Sequence, residues 1–309
     1  MDVISEEQLA KKLNYLRPGG HYNPSGCTSK YRVAIVVPYR DRESHLHVLL
    51  NNFHPFLTNQ QLDYSIIVVE QAANQTFNRG KLLNVGFIES MRLYDWHCFV
   101  FHDVDLLPED TRNLHSCPET NPRHMAVAVD KFKYKLFYDG MFGTSCSLTV
   151  RQFLNVNGFS NRFWGWGGED DDMYSRIISA GYKVERYNTS IARYKMIKHG
   201  KDSSNPVNPC RYKLLAKTKR DWKTDGLSSL RYKLLNVTLK PLYTHILVDL
   251  LEAEEKPSVN KQFCEVKNGG MYGCGLGYGG WGYGMGMYGG YGYGGFGCGL
   301  GGFGGWMGK

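Results

Sequence analysis

No run of about twenty apolar residues occurs anywhere in the 309-residue chain, so its sequence offers no membrane-spanning helix. It opens Met1-Asp-Val-Ile-Ser-Glu-Glu, without the basic and apolar regions of a signal peptide. Either a targeting segment lies outside this chain or the protein is not secreted. None of its eight cysteines stands in a Cys-x-x-Cys pair, which argues against a zinc site. The P-loop pattern is missing, no Gly-x-Gly-x-x-Gly follows the first apolar run, and no Gly-x-Ser-x-Gly elbow appears. Nucleotide-hydrolysing P-loop, dehydrogenase and serine-hydrolase readings fall with them. The last 41 residues contain no arginine, which removes the RGG logic of nucleic-acid binding.

Those 41 residues, Gly269–Lys309, hold 22 glycines and 10 aromatics, too little buriable surface to offset ordering. A low-complexity, disordered tail is expected over 256–309, behind a catalytic domain over 27–255 and an N-terminal remnant of an entry segment over 1–26. The net charge of +8 lies almost wholly in the front part. It suits an anionic ligand such as a nucleotide, and a solvated surface equally well. Three sequons, Asn74-Gln-Thr, Asn188-Thr-Ser and Asn236-Val-Thr, stand beside spaced cysteines. Together they favour an oxidising, secretory compartment.

Apolar patterning alternates. Tyr31–Val37 reads as a buried strand ending at Pro38, and Glu43–Phe53 as a helix with Leu46, Leu49, Leu50 and Phe53 on one face. Tyr64–Val69 is a second strand, Gly80–Tyr94 a second helix and Cys98–Phe101 a third strand. Further strands are expected at Met125–Val129, Cys146–Thr149, Lys183–Arg186, Ser190–Met196, Ser228–Tyr232, Leu234–Thr238 and Thr244–Leu250. Asp170–Ala180 reads as a helix ended by Gly181. The fold class is α/β with a mixed, mostly parallel sheet, whose ligands bind beyond the carboxyl ends of strands.

Two strand ends therefore carry weight. Asp103-Val104-Asp105 puts two carboxylates on one side of a strand end, where they suit Mg²⁺ or Mn²⁺ on a diphosphate; a polar, capping loop is the plainer reading. Arg40 and Arg42 follow the first strand, and Arg79 precedes the second helix, as phosphate recognition requires and as any charged surface allows. Phe163-Trp-Gly-Trp-Gly-Gly-Glu-Asp-Asp-Asp172 joins flat aromatics, glycine joints and clustered acids. That combination suits a site that grips a sugar and removes a proton from it. Acids capping a helix N-terminus are the plainer account of its second half.

Taken in order, these motifs resemble the β-1,4-galactosyltransferase family of inverting glycosyltransferases, over about residues 17–250. The resemblance rests on Val33-Ala-Ile-Val-Val-Pro-Tyr-Arg-Asp-Arg42, Phe77-Asn-Arg-Gly-Lys-Leu-Leu-Asn-Val-Gly-Phe87 and Phe101-His-Asp-Val-Asp-Leu106. It continues through Pro122-Arg-His-Met125, Trp164-Gly-Trp-Gly-Gly-Glu-Asp-Asp-Asp172, Met196-Ile-Lys-His199 and Asp225-Gly-Leu-Ser-Ser-Leu230. It implies a GT-A fold, a UDP-sugar donor, Mn²⁺, a GlcNAc-terminated acceptor and a Golgi lumen address through a type II anchor absent from this chain. By position, Asp105, Met196 and His199 would hold Mn²⁺. Pro38, Tyr39, Arg40, Arg42, Phe77, Arg79, Asp103 and Val104 would form the donor pocket, with Met141 beside the sugar. Asp170 would be the general base, flanked by Glu169 and Asp171, and Trp166 would ride a loop closing over the donor. Lys131, Tyr138, Gly168, Arg211, Tyr212 and Leu215 would face the acceptor. Cys98 and Cys117 match a family disulfide. Cys27 is left unpaired, or pairs with Cys146, Cys210 or a tail cysteine.

Two departures stand out. Vertebrate members carry Tyr where this chain has Met141, and that tyrosine crowds the donor's C2 substituent. Methionine is flexible and lacks the hydroxyl, so an N-acetyl group fits and the donor becomes Gal or GalNAc. Thr144 replaces a second glycine after Gly143. The rival readings are an inactive sugar-binding module of the same fold and a structural glycine-rich protein.

Overall fold

A computed structural model of the protein describes residues 4–198, 200 and 205–264. The glycine-rich tail, with Cys274 and Cys298, and His199 lie outside the described residues. Eleven strands are described: β1 Arg32–Tyr39, β2 Asp63–Gln71, β3 Cys98–His102, β4 Leu106–Pro108, β5 Arg123–His124, β6 Ala128–Val129, β7 Ser145–Thr149, β8 Glu185–Arg186, β9 Arg193–Met196, β10 Lys233–Leu239 and β11 Thr244–Asp249. The α-helices are α1 Glu6–Lys12, α2 Glu43–Asn59, α3 Arg79–Leu93, α4 Val150–Asn155, α5 Glu169–Ser179, α6 Arg211–Leu215, α7 Thr218–Asp221 and α8 Glu252–Val259.

Eight strands form one sheet in the order β10-β11-β2-β1-β3-β7-β5-β8, and β4-β9-β6 form a second. β11, β2, β1 and β3 run parallel, while β7 turns antiparallel against β3. The mixed α/β class expected from the sequence is what is seen. β1 is apolar and buried from Val33 to Pro38 because both its faces are covered there. Val33, Ile35 and Val37 pack with Leu46, Leu49, Leu50 and Phe53 of α2, whereas Ala34 and Val36 pack with Leu82, Leu83 and Val85 of α3. Burying one such side chain contributes roughly 1.5–3 kcal/mol. Gly86 of α3 is a close-approach position, because a Cβ there would sit 2.4 Å from Val36 Cγ1.

Since β2 and β3 flank β1 on opposite sides, with α2 and α3 on opposite faces, the strand order reverses between β1 and β3. A crevice opens at such a switch point, beyond the carboxyl ends of the strands. Residues 39–42 and 103–105 stand at its two banks.

Several sequence expectations shift. β1 runs through Pro38 to Tyr39 rather than ending before it. Its ladder to β3 stops at Val36, so the proline sits at a one-sided strand end where a missing N–H is tolerated. Of the expected strand Met125–Val129 only Ala128–Val129 forms, as β6 of the second sheet, while β5 lies just before that stretch and joins the first sheet. Ser228–Tyr232 is not a strand: Leu227–Ser229 is a 3₁₀ turn, with Gly226 N–H donating to Ser229 Oγ at 3.2 Å. Helices α1, α4, α6 and α7 had no sequence assignment, being too short for a clear period. α1 is set by a Ser5–Gln8 capping box and buries Leu9 and Leu13 in the α2-side core, within the stretch read as an entry segment. The boundary drawn after residue 255 falls inside α8, and Phe263 beyond it is buried.

Cys98 and Cys117 are bonded, as the resemblance implied. Cys210 pairs with Cys264. Among the described residues Cys27, exposed, and Cys146, buried, are in no disulfide. All three sequon asparagines are exposed.

Candidate active site

The crevice is organised by one guanidinium. Arg79 is the first residue of α3, placed there by Asn78, whose side chain caps the helix at Lys81 N–H and is itself buried. Arg79 Nε donates to Asp103 Oδ1 at 2.6 Å and Nη1 to Asp170 Oδ1 at 2.7 Å, with Glu169 at 3.8 Å. One cation thus bridges the end of β3 and the start of α5. Three carboxylates on one cation leave an acid excess in a water-poor place. Burial pushes Asp103 up to about 6 against the opposing pull of Arg79. Burial likewise raises Asp170 well above the usual carboxylate range, and Glu169 above it, with Arg79 again opposing. The dipole of α5 favours these acids at its N-terminus, but desolvation outweighs it.

Asp170 is held from the other side by Gly143. A Cβ at that position would lie 2.0 Å from Asp170 Oδ2, so the carboxylate occupies the place a side chain would take. Thr144, which follows, adopts φ +63°, and its carbonyl accepts from Asp103 N–H at 2.9 Å. The Gly143–Thr144 turn therefore links Asp170 to the β3 end.

The start of α5 is approached by a glycine hinge. Gly165, Gly167 and Gly168 have φ of +90°, +100° and +100°, values L side chains rarely adopt. Between them Trp166 is 48% exposed, large for a tryptophan with no evident packing duty. Its N–H donates to Pro206 O at 2.8 Å, its carbonyl accepts from Asn208 N–H at 3.0 Å, and the Arg211 guanidinium lies 5.6 Å from its ring centre. Arg211 also covers the ring of Tyr212, which is 63% exposed. Nearby, Tyr138 Oη donates to Asp171 Oδ1 at 2.6 Å. An acidic floor, a proton acceptor and exposed aromatic faces thus stand within one cleft, the arrangement a sugar-binding catalyst needs.

Two family profiles match the chain: the N-terminal region of glycosyl transferase group 7 over residues 1–118, and the N-terminal domain of galactosyltransferase over residues 123–200. Over 248 residues it is 50% identical to β-1,4-galactosyltransferase 3 of Homo sapiens, covering 80% of this chain and 63% of that one. It is 48% identical to β-1,4-galactosyltransferase 4 of Cricetulus griseus, covering 80% and 71%. The chain belongs to the β-1,4-galactosyltransferase family. It spans about 63% of the length of the human relative. Among solved structures it is similar to the catalytic domain of Drosophila β-1,4-galactosyltransferase 7 with xylobiose, at a TM-score of 0.61 and 29% identity over 74% of this chain and 98% of that one. A mutant of that enzyme in complex with manganese, UDP-Gal and xylobiose gives a TM-score of 0.62 and 28% identity, with the same coverage. The fold is that of GT-A glycosyltransferases.

Set within this family, the expected donor residues fall along the β1 and β3 ends. Arg40 is buried, its guanidinium 5.0 Å from the Phe77 ring centre and bonded to Gln75 O. Pro38 and Tyr39 end β1, and burial raises the Tyr39 phenol to about 12. Arg42 begins α2 as its N-cap. Val104 is buried between the two acids of the Asp103–Asp105 turn. Met141 is 7% exposed, and its carbonyl accepts from Arg186 Nη2 at 2.9 Å.

Asp105 and Met196 are neighbours across the second sheet. Leu106 pairs with Met196, and Ile197 N–H donates to Asp105 O at 2.7 Å. Both are half-buried, and a carboxylate with a thioether suits a first-row divalent cation once an imidazole is added. Among the described residues no group of three His, Cys, Asp or Glu side chains is placed to hold a metal. His199, the expected imidazole, lies outside them.

On the acceptor side the expectations separate. Tyr138, Asp171, Gly168, Arg211 and Tyr212 line the hinge and α5. Leu215 is partly buried against Phe163, Leu214 and Phe263. Lys131 is exposed in the turn after β6 and lies beside Asp130, whose Oδ1 accepts from Met196 N–H at 2.9 Å. That turn belongs to the Asp105–Met196 strands rather than to α5.

Sequence reasoning missed three supports. Asp130 holds the Met196 backbone, Arg186 holds the Met141 backbone, and Arg176 holds Asp172. The last is the clearest, because Asp172 belongs to the acid string yet faces away from the cleft. It is 2% exposed, bonded to Arg176 and to Thr218 Oγ1, while Arg176 also reaches Asp225 at 3.2 Å. The i, i+4 spacing of Asp172 and Arg176 was the available signal.

Proposed function

We propose that this protein is an inverting, Mn²⁺-dependent β-1,4-glycosyltransferase of the Golgi lumen. It would move Gal or GalNAc from UDP to the 4-hydroxyl of a terminal GlcNAc, or a related sugar, on a glycoprotein or glycolipid. The observation that carries this reading is Asp170: a half-buried carboxylate of raised proton affinity, fixed by Arg79 and Gly143 beside the glycine hinge of Trp166. The Drosophila neighbour's complex with UDP-Gal, manganese and xylobiose supports the donor class and the metal.

In this mechanism the acceptor hydroxyl attacks the anomeric carbon from the face opposite the diphosphate. Asp170 takes its proton, the bond from the anomeric carbon to the diphosphate oxygen breaks, and the configuration inverts. Arg79 holds Asp170 and Asp103 in register without neutralising all three acids. Arg40 and Phe77 offer a stacking face and a guanidinium for the nucleotide. Trp166 swings on its glycines to cover the donor and shed water. A divalent cation held by Asp105, Met196 and His199 would supply the charge that stabilises the leaving UDP.

The test is turnover of UDP-Gal and UDP-GalNAc on a β-GlcNAc acceptor with Mn²⁺. Asp170→Asn is expected to retain UDP binding by calorimetry while kcat falls by about 10²–10⁴; unchanged turnover would refute the base assignment. Met141→Tyr is expected to lower the rate with UDP-GalNAc relative to UDP-Gal by roughly tenfold, the equivalent of about 1.4 kcal/mol of crowding. An unaltered ratio would remove Met141 from the donor argument.

A further inference from the structure

We propose that Glu252–Cys264 is a strap that positions the Trp166 loop, with Phe263 and Cys264 as positioning residues for acceptor binding. The inference rests on the transferase reading for what the loop does, but its structural part stands by itself. The segment follows the last strand of the sheet and touches both flanks of the loop.

At its first end, Glu252 accepts from Thr76 N–H at 2.6 Å, and Lys256 Nζ donates to Thr76 Oγ1. Thr76 precedes Phe77, whose carbonyl accepts from Gly165 N–H at 2.8 Å. The strap therefore fixes the residue from which the loop departs. At its far end, Cys264 is bonded to Cys210, and Lys213 Nζ donates to Cys264 O at 3.0 Å. Phe263 is 7% exposed and packs with Phe163, Cys210 and Leu214, and the Arg162 guanidinium lies 4.8 Å from its ring centre.

What those partners do for the loop is visible in the glycines. Gly168 has no room for a Cβ because Phe163 Cε1 would stand 2.6 Å from it. Arg211, next to Cys210, lies against Gly167, where its Cδ would stand 3.4 Å from an added Cβ, and sets its guanidinium over Trp166. Cys210 itself is held by its N–H to Asn208 Oδ1 at 2.9 Å, and Asn208 N–H reaches the Trp166 carbonyl. Tension or slack at residues 263–264 passes to Phe163 and Arg211, and from them to the three glycines around Trp166. No part of the strap reaches Asp170, so it acts on the geometry of the sugar platform and not on proton transfer. Ordering such a platform before binding lowers the cost of binding, which appears in KM more than in kcat.

The test uses the full chain with Cys264→Ser and, separately, Phe263→Ala, which leaves the sulfur chemistry intact. Amide hydrogen exchange is followed across 163–168 and 208–215, and kcat and KM are measured for a β-GlcNAc acceptor. Both variants are expected to speed exchange in those two stretches by at least about tenfold while β1 to β3 stay protected. Acceptor KM is expected to rise by roughly tenfold with kcat within about twofold. Exchange unchanged in both variants would overturn the strap, as would a uniform increase across the whole protein. Faster exchange with unaltered KM would overturn the positioning role. If the wild-type chain fails to turn over any UDP-sugar, the transferase reading falls, while the exchange pattern still decides the strap.

Discussion

The proposed general base, Asp170, is shaped by an absent side chain. Gly143 leaves the space that Asp170 fills, and Arg79 closes the carboxylate from the opposite side. Gly143→Ala would place a methyl group 2.0 Å from Oδ2 and 2.5 Å from Cγ of Asp170. The carboxylate must then move by more than an ångström, and misplacement of that size costs about 10² in rate. We expect kcat to fall by roughly that factor with the melting temperature nearly unaltered, read from initial rates and calorimetry together. A variant of wild-type activity would show that Asp170 has freedom this packing denies it. Nothing in the sequence announced this contact, since residues 143 and 170 meet only through the fold. The acid itself was legible, because Trp-Gly-Trp-Gly-Gly followed by four acids has few other uses.

At the scale of elements, α5 carries the site and also anchors it. Its first turn presents Glu169, Asp170 and Asp171 to the cleft, and a 100° step per residue turns Asp172 inward. There Asp172, Arg176, Thr218 and Asp225 form a buried network joining α5 to α7 and to the loop before the 3₁₀ turn at Leu227. Ser160 Oγ and Asn161 N–H complete Asp225 at 2.6 and 3.1 Å. Removing one partner leaves a charge buried without its counter-ion, which typically costs 3–5 kcal/mol. Asp172→Ala is therefore expected to destabilise the protein by about 3 kcal/mol in urea denaturation, since Arg176 keeps Asp225. A loss below about 1 kcal/mol would show that the network is dispensable. The helix was readable from its amphipathic period and its glycine stop. Its inward acid was not separable from the outward three, because charge in sequence does not show which way a first turn faces.

The whole molecule carries a pH dependence of its own. His54 is buried in α2, with Nε2 2.8 Å from Leu242 O and Nδ1 2.9 Å from Tyr64 Oη, tying α2 to the turn between β10 and β11. Burial lowers it from 6.5 to about 4, against the smaller pull of the Leu242 carbonyl. Its folded value lies below its unfolded one, so between about pH 6.5 and 4 the unfolded chain binds a proton that the folded chain refuses. Stability from this residue is present above pH 6.5 and lost as pH falls. The half-buried acids Asp103, Glu169 and Asp170 act with the opposite sign, because their raised values let the folded state hold protons longer. A comparison of slopes isolates the histidine: His54→Gln should make stability against pH shallower by up to about 1.4 kcal/mol per unit over that window. Parallel curves from the two proteins would contradict this.

Sequence by itself determined the class of fold, the order of β1, α2, β2, α3 and β3, and the family, because period and local motif are written in neighbouring residues. It also singled out Arg79, Asp103 and Asp170, which the fold brings together with the two carboxylates on the one guanidinium. Tertiary structure alone decided that Asp172 is an anchor and that Lys131 sits with the Asp105–Met196 strands. It also chose Cys264 as the partner of Cys210 and brought α8 and the residues after it back against Thr76 and Phe163. The physical reason is common to all four. Each depends on which distant residues share a space, and that is settled by how helices and sheet pack rather than by any periodicity along the chain.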